Sequence, residues 1–190
     1  LSCYALTVEP KTPLHKLIQL KKAEDVNGDR QSEQFLLLMQ WMAGAGFEHY
    51  EISNFAKPGF RSRHNSSYWQ QKKYLGFGPS AHSYDGNARW WNVANNNTYI
   101  RSINNGICAF EKEVLTPAQK LNEYIMTSLR TMEGLDLSIL DETSGLELRA
   151  ASKKYLETGL IKIEGTFVKL TNGGKLLADG IAADLFFTQS

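Results

Sequence analysis

The spacing of apolar and polar positions divides this chain near residue 111. Leu1 to Glu9 reads as a strand stopped by Pro10. Residues 14–28 are polar, a short helical or irregular excursion that ends at Asn27 and Gly28. Asp29 is the expected N-cap of a helix reaching about Ala45, because Phe35, Leu38, Met39 and Met42 recur at helical spacing and Gly44 and Gly46 close it. His49 to Phe55 supplies a second strand, with Tyr50 to Phe55 as its convincing part, and Lys57-Pro58-Gly59 a turn. Residues 61–69 follow as loop, a third strand falls between Leu75 and Tyr84, and a short helix over Thr98 to Asn105 ends at Gly106. Strand, helix, strand predicts a parallel sheet. Three strands do not close a barrel, so residues 1–110 read as the tail end of a larger α/β domain.

From Glu111 the pattern turns mainly helical. Thr116, Pro117 and Gln119 spell a capped helix start, and Leu121, Tyr124, Ile125 and Leu129 mark the inner face of a helix to Met132. Leu135 to Asp141 predicts a second short helix and Leu146 to Thr158 a third, ended by Gly159. Leu160 to Leu170 alternates across Gly165, which predicts a β-hairpin. Thr171 should cap a closing helix through Phe186. The expected fold class is therefore α/β then mainly α, with a winged-helix-like module over residues 111–190.

Composition narrows the function classes. The chain has 190 residues, 42% of them hydrophobic and 22% charged, with a formal charge of +1. That balance argues against a nucleic-acid binder driven by phosphate attraction. Arg149, Lys153 and Lys154 form a positive face on the presumed third helix, but Glu142, Glu147 and Glu157 cancel it. No apolar run approaches the roughly 18 residues of a transmembrane segment. Leu1 to Ala5 lacks a basic segment leading into an apolar core, so no leader is expected. Cys3 and Cys108 make neither a disulfide framework nor a metal site, and a reducing, cytoplasmic setting is expected.

The densest chemistry lies in Arg61-Ser-Arg-His-Asn-Ser-Ser-Tyr-Trp69. Histidine can ligate a metal, arginines can hold carboxylates, and Tyr and Trp offer flat apolar faces. The set suits a flat, anionic, metal-bearing molecule such as heme, while a loop histidine bonded to backbone is the plain alternative for His64. His82 follows the Gly76 and Gly78 pair, where glycines mark a bulge or a close approach to the backbone. It is not followed by the helix of a dinucleotide loop, and a buried, satisfied histidine is the expected reading. Asp25 to Asp29 has calcium-loop residue types but a misplaced Gly28, and reads as a turn.

Four segments together resemble a known family: Tyr4-Ala-Leu-Thr-Val-Glu-Pro10, Tyr50-Glu-Ile-Ser-Asn-Phe55, His64-Asn-Ser-Ser-Tyr-Trp69, and Tyr74-Leu-Gly-Phe-Gly-Pro-Ser-Ala-His-Ser-Tyr84. They are similar to the oxygen-independent coproporphyrinogen III oxidase group of radical S-adenosylmethionine (SAM) proteins. The His-Asn-x-x-Tyr-Trp element resembles its heme chaperone branch. The resemblance implies the C-terminal portion of a radical SAM (β/α) partial barrel over 1–110, then the winged-helix-like domain. It implies S-adenosylmethionine contacts at Ala5 and His82, and His64 as the residue binding heme iron. Asn65 would orient His64 or bond a propionate, Tyr68 and Trp69 would shield the porphyrin, and Arg61 and Arg63 are added candidates for the propionates. The family's Cys-x-x-x-Cys-x-x-Cys motif, which holds a 4Fe-4S cluster, is absent here, so radical chemistry is expected only of a longer parent.

Two functions follow as expectations. One is a fragment of a heme chaperone that passes heme to acceptor proteins. The other is oxidative decarboxylation of coproporphyrinogen III in porphyrin biosynthesis. A DNA-binding winged-helix regulator fails on the charge balance.

Overall fold

Thr12 starts the first helix, its hydroxyl accepting from the His15 N–H at 3.2 Å, and Pro13 takes the first helical position, where a missing N–H costs nothing. This helix, α1, spans Pro13–Gln19 and α2 spans Gly28–Gly44 in this computed structural model, which describes residues 1–188. Asn27, not the expected Asp29, caps α2: its Oδ1 accepts from the Arg30 N–H at 2.9 Å. Asp29 sits in the first turn, where its charge complements the helix dipole.

The strand expected over 49–55 folds back on itself. β1 (Glu48–Glu51) and β2 (Asn54–Ala56) form an antiparallel hairpin with His49 opposite Phe55. The Glu51 carboxylate fastens the turn by accepting from the Ser53 N–H at 3.0 Å and from the Asn54 side-chain amide. Of the strand expected over 1–9, only a bridge from Ser2 to Asn54 forms. Residues 4–9 have no partner strand among the described residues, which leaves Tyr4 and Leu6 exposed.

After α3 (Arg63–Trp69) come β3 (His82–Tyr84), β4 (Ala88–Asn92), α4 (Asn96–Asn104) and β5 (Phe110–Val114). The three strands pair antiparallel in sequence order. The strand expected over 75–84 shrinks to its last three residues, because Pro79 lacks a ladder N–H and Gly76 and Gly78 give no side chain to pack. Asp85 closes the β3–β4 turn, its carboxylate accepting from the Asn87 and Ala88 N–H groups at 2.8 and 2.7 Å. Every ladder between strands of the described residues is antiparallel, which overturns the expected parallel sheet. The segment over 49–55 is a whole hairpin, and that over 75–84 contributes one arm, β3, of another.

The C-terminal part follows its sequence signals more closely. α5 (Pro117–Leu129) carries the full capping box: Thr116 accepts from the Gln119 N–H at 3.2 Å, and Gln119 Oε1 accepts from the Thr116 N–H at 2.7 Å. The short helix expected over 135–141 is instead β6 (Leu135–Asp136) and a 3₁₀ turn, because Asp136 turns the chain by accepting from the Ser138 N–H and hydroxyl. α6 (Glu142–Glu157), β7 (Ile161–Glu164) and β8 (Phe167–Leu170) follow, the hairpin turning at Gly165 as expected. The expected closing helix breaks into α7 (Asn172–Lys175) and α8 (Ala178–Asp184). Gly174 is there because a Cβ at that position would lie 1.9 Å from the Leu160 carbonyl oxygen.

The main core lies in this C-terminal part. Ile125 and Leu129 of α5, Leu148 of α6 and Ile181 of α8 pack on Leu135, Ile161 and Val168 of the β6-β8-β7 sheet. Each such side chain stabilises the fold by about 1.5–3 kcal/mol when fully buried. One side chain ties this core to the hairpin. Arg130 donates from Nε to Glu51 at 3.0 Å and from Nη1 to Asp179 of α8 at 2.7 Å. Backbone bonds run alongside, from Ile52 N–H to the Arg130 carbonyl and from Met132 N–H to the Tyr50 carbonyl.

Glu51 is 1% exposed, so removing it takes the buried one of two carboxylates from the half-buried Arg130 and frees the turn. Glu51→Ala is expected to cost about 2–3 kcal/mol in urea unfolding at pH 7, the loss of charge-assisted hydrogen bonds to Arg130, Ser53 and Asn54. A loss below about 1 kcal/mol, the size of an exposed pair, would show that the carboxylate is not the tie.

Candidate functional site

Six of the candidate residues fall on or beside α3. Ser62 begins this helix where a loop was expected, its hydroxyl accepting from the Asn65 N–H at 3.2 Å. Helical geometry then sets His64 and Tyr68, four residues apart, on one face. Their rings meet edge-on with centroids 5.0 Å apart, and both residues are exposed. The aromatic contacts continue inward from Tyr68 to Tyr74 at 4.9 Å and from Tyr74 to Tyr84 at 6.2 Å. Burial raises the Tyr74 phenol above its ordinary pKa, against the pull of Arg89. Among the described residues the His64 imidazole has no hydrogen-bond partner, so a ring nitrogen is free to meet a ligand.

Trp69 is separated from this exposed pair. Its indole nitrogen is buried without a hydrogen-bond partner, and the Arg130 guanidinium lies 5.7 Å from its ring centre. A cavity of about 590 Å³ opens between α3, the β3-β4-β5 sheet and α5, walled by Tyr68, Trp69, Tyr74, Tyr84 and Met126. Tyr68 is thus shared, with His64 on its outer side and the cavity on its inner side. Asn65 is half-buried in the first turn of α3.

The two arginines part company. Arg61 is held by Glu48 at 3.1 Å and Glu133 at 2.6 Å, and the hydrogen bond to Glu133 chiefly raises its pKa. A guanidinium already flanked by two carboxylates is not free for a propionate, which corrects the role expected of Arg61. Arg63, the first residue of α3, is exposed and has no ion pair among the described residues.

The other candidates lie apart from α3. Ala5 is exposed in a segment without strand structure. His82 opens β3, exposed rather than buried as expected, with its ring 5.9 Å from Trp91 across the ladder. The close approach anticipated at Gly76 is made by the chain itself, since a Cβ there would lie 2.1 Å from the His82 carbonyl oxygen. An iron–sulfur cube does not fit the side chains present. Cys3 and Cys108 are free, and among the described residues no group of three or more His, Cys, Asp or Glu could hold a metal ion. No helix of the described residues is long and apolar enough to cross a membrane.

Comparison with known proteins gives this geometry its setting. Residues 115–177 match the HemN C-terminal domain. The chain is 34% identical over 185 residues to the heme chaperone HemW of Bacillus subtilis, covering 95% of this chain and 49% of that one. It is 33% identical over 187 residues to the heme chaperone HemW of Mycobacterium tuberculosis, covering 97% and 46%. The chain is thus similar over nearly all of its length to HemW heme chaperones, and in residues 115–177 to the HemN C-terminal domain. It spans about half the length of the curated relatives it matches. The solved radical SAM enzyme coproporphyrinogen III oxidase (HemN) from Escherichia coli shares its fold, with a TM-score of 0.60 over 92% of this chain and 42% of that one at 17% identity.

One pair in this chain carries no signal in the sequence. His49 stacks on Phe55 at 4.2 Å and meets the edge of Phe35 at 5.9 Å. Its Nε2 lies 2.8 Å from the Ile52 carbonyl, which makes Nε2 the protonated nitrogen and leaves Nδ1 to accept from Lys175 Nζ at 3.0 Å. Burial lowers the pKa of His49, partly offset by the Ile52 carbonyl, and lowers that of Lys175 as well. No local motif announces a contact between residues so far apart in the chain.

A lowered histidine pKa means that the unfolded chain takes up the proton first. The stabilisation is complete above the unfolded value of about 6.5 and is lost as pH falls from there toward the folded value. Thermal melts should therefore show a drop in Tm on going from pH 7.5 to 5.5 that is smaller in His49→Phe. An identical drop in the two proteins would remove His49 from this role.

Proposed function

We propose that this chain is part of a heme chaperone, the part that presents heme to acceptor proteins in the cytoplasm. The observation that carries the reading is the exposed, unpartnered imidazole of His64 beside Tyr68 on one face of α3. His64 supplies a nitrogen ligand to the iron. Tyr68 covers porphyrin edge, Asn65 in the first turn of α3 is placed to orient His64 or bond a propionate, and Arg63 offers a free guanidinium to the propionates. Trp69, turned inward against Arg130, fixes the helix that carries His64 and leaves the shielding to Tyr68. The names of the relatives support this reading, since HemW proteins of two bacteria at 33–34% identity are called heme chaperones.

We assign residues 1–110 to the C-terminal portion of the (β/α) partial barrel and 111–190 to a HemN-type winged-helix-like domain, with β5 belonging structurally to the first part because it pairs with β4. In the parent protein a 4Fe-4S cluster and S-adenosylmethionine complete the radical SAM half. Ala5 and His82, both exposed, are the residues of this chain assigned to S-adenosylmethionine. Coproporphyrinogen III oxidation rests on a likeness of fold alone.

Heme titrated into the protein and followed by its Soret absorbance should bind saturably. His64→Ala should weaken binding by at least about tenfold, the equivalent of about 1.4 kcal/mol. Unchanged affinity in that variant would sink the assignment.

A further inference from the structure

Three lysines converge on a cleft between the β1–β2 hairpin and the β6-β8-β7 sheet. Lys162 of β7 and Lys169 of β8 stand directly opposite each other. They lie on the sheet face away from the core, because Ile161 and Val168 turn inward. Like charges at a directly paired position repel. Glu164 relieves them, with its carboxylate 2.6 Å from Lys162 and 2.9 Å from Lys169. That double contact, Lys162 first, pulls the Glu164 pKa down to about 2. One carboxylate therefore serves two ammonium groups.

Lys175 brings the third charge, at the end of α7. Its Nζ rests against the neutral imidazole of His49 and has no carboxylate partner among the described residues. A half-buried ammonium without a counter-ion is unfavourable unless something else supplies the negative charge. The cleft bounded by these groups encloses about 470 Å³, within the usual range of small-ligand sites. Arg130 and Glu51 also border it, but they are bonded to each other and Arg130 additionally to Asp179.

We propose that this cleft binds a phosphate-bearing small molecule, held by Lys162, Lys169 and Lys175. Phosphate fits better than carboxylate, because the Arg130 guanidinium that would grip a carboxylate by two parallel bonds is held by Glu51 and Asp179, whereas Lys162 and Lys169 share a single carboxylate and keep further ammonium N–H donors for phosphate oxygens. A small molecule fits better than nucleic acid, because the lysines gather within a cleft of a chain whose formal charge is only +1. The site is separate from α3 and does not rest on the heme reading.

Calorimetric titration of inorganic pyrophosphate into the 190-residue chain tests it, in phosphate-free buffer at about 0.15 M salt, where long-range attraction is screened. One saturable site is expected. Lys162→Gln and Lys169→Gln should each weaken it by about tenfold, the loss of one charge-assisted contact. Lys175→Met should weaken it at least as much, and if that variant does not fold, the other two still decide the matter. His64→Ala should leave pyrophosphate binding unchanged, so the two readings stand or fall apart. No saturation by about 10 mM, or equal affinity in all the lysine variants, would overturn the proposal. So would citrate binding as tightly as pyrophosphate, or duplex DNA binding through these lysines while pyrophosphate does not.

Discussion

Arg130 is the side chain on which the arrangement of the two halves rests. It reaches the buried Glu51 of the hairpin, Asp179 of α8 and the face of Trp69. Glu51 in turn holds the hairpin turn, so one ion pair fixes the path of β1, the seat of α5 and one end of α3. α3 has seven residues, too few to persist alone in water. Its conformation depends on the Ser62 cap and on the two aromatic anchors at its far end, Tyr68 against Tyr74 and Trp69 beside Arg130. The orientation of His64 is therefore set by contacts at the two ends of α3.

The reading of the fold from sequence succeeded where local chemistry carries its own punctuation. The Thr116, Pro117 and Gln119 capping box and the hairpin around Gly165 form as their residues dictate. It failed where two short arms mimic one strand. Residues 49–55 are apolar and polar in the manner of a single strand, and only the Glu51 carboxylate, reaching forward to Ser53 and Asn54, reveals the turn. β4 and β5 escaped notice for a different reason. β5 presents the side chains of a solvated sheet edge, Glu111, Lys112 and Glu113 among them, whereas β4 is the middle strand of its sheet, and their pairing across α4 is a long-range choice.

The candidate site was legible as a set of residue types and not as an arrangement. The tract from Arg61 to Trp69 pointed to ligand chemistry. Only the helix shows that His64 and Tyr68 share a face while Trp69 turns inward. Arg61 and Arg63 look equivalent in sequence, two positions apart, yet Glu48 and Glu133 claim the first and leave the second exposed. Glu133 approaches Arg61 only after the whole of α5 has been laid down. No rule based on neighbours in sequence reaches that far.

β5 straddles the point at which the chain changes character. Its five residues pair along the whole of β4, from Ala88 opposite Val114 to Asn92 opposite Phe110. A piece cut at residue 111 would carry most of this strand away from its sheet. β4 would be left with a row of unpaired N–H and C=O groups beside Trp90 and Trp91, a template on which another copy could add a strand. The compositional seam is thus a poor place to divide the polypeptide. The linkage through β5 also keeps a sticky, tryptophan-rich edge from seeding aggregation.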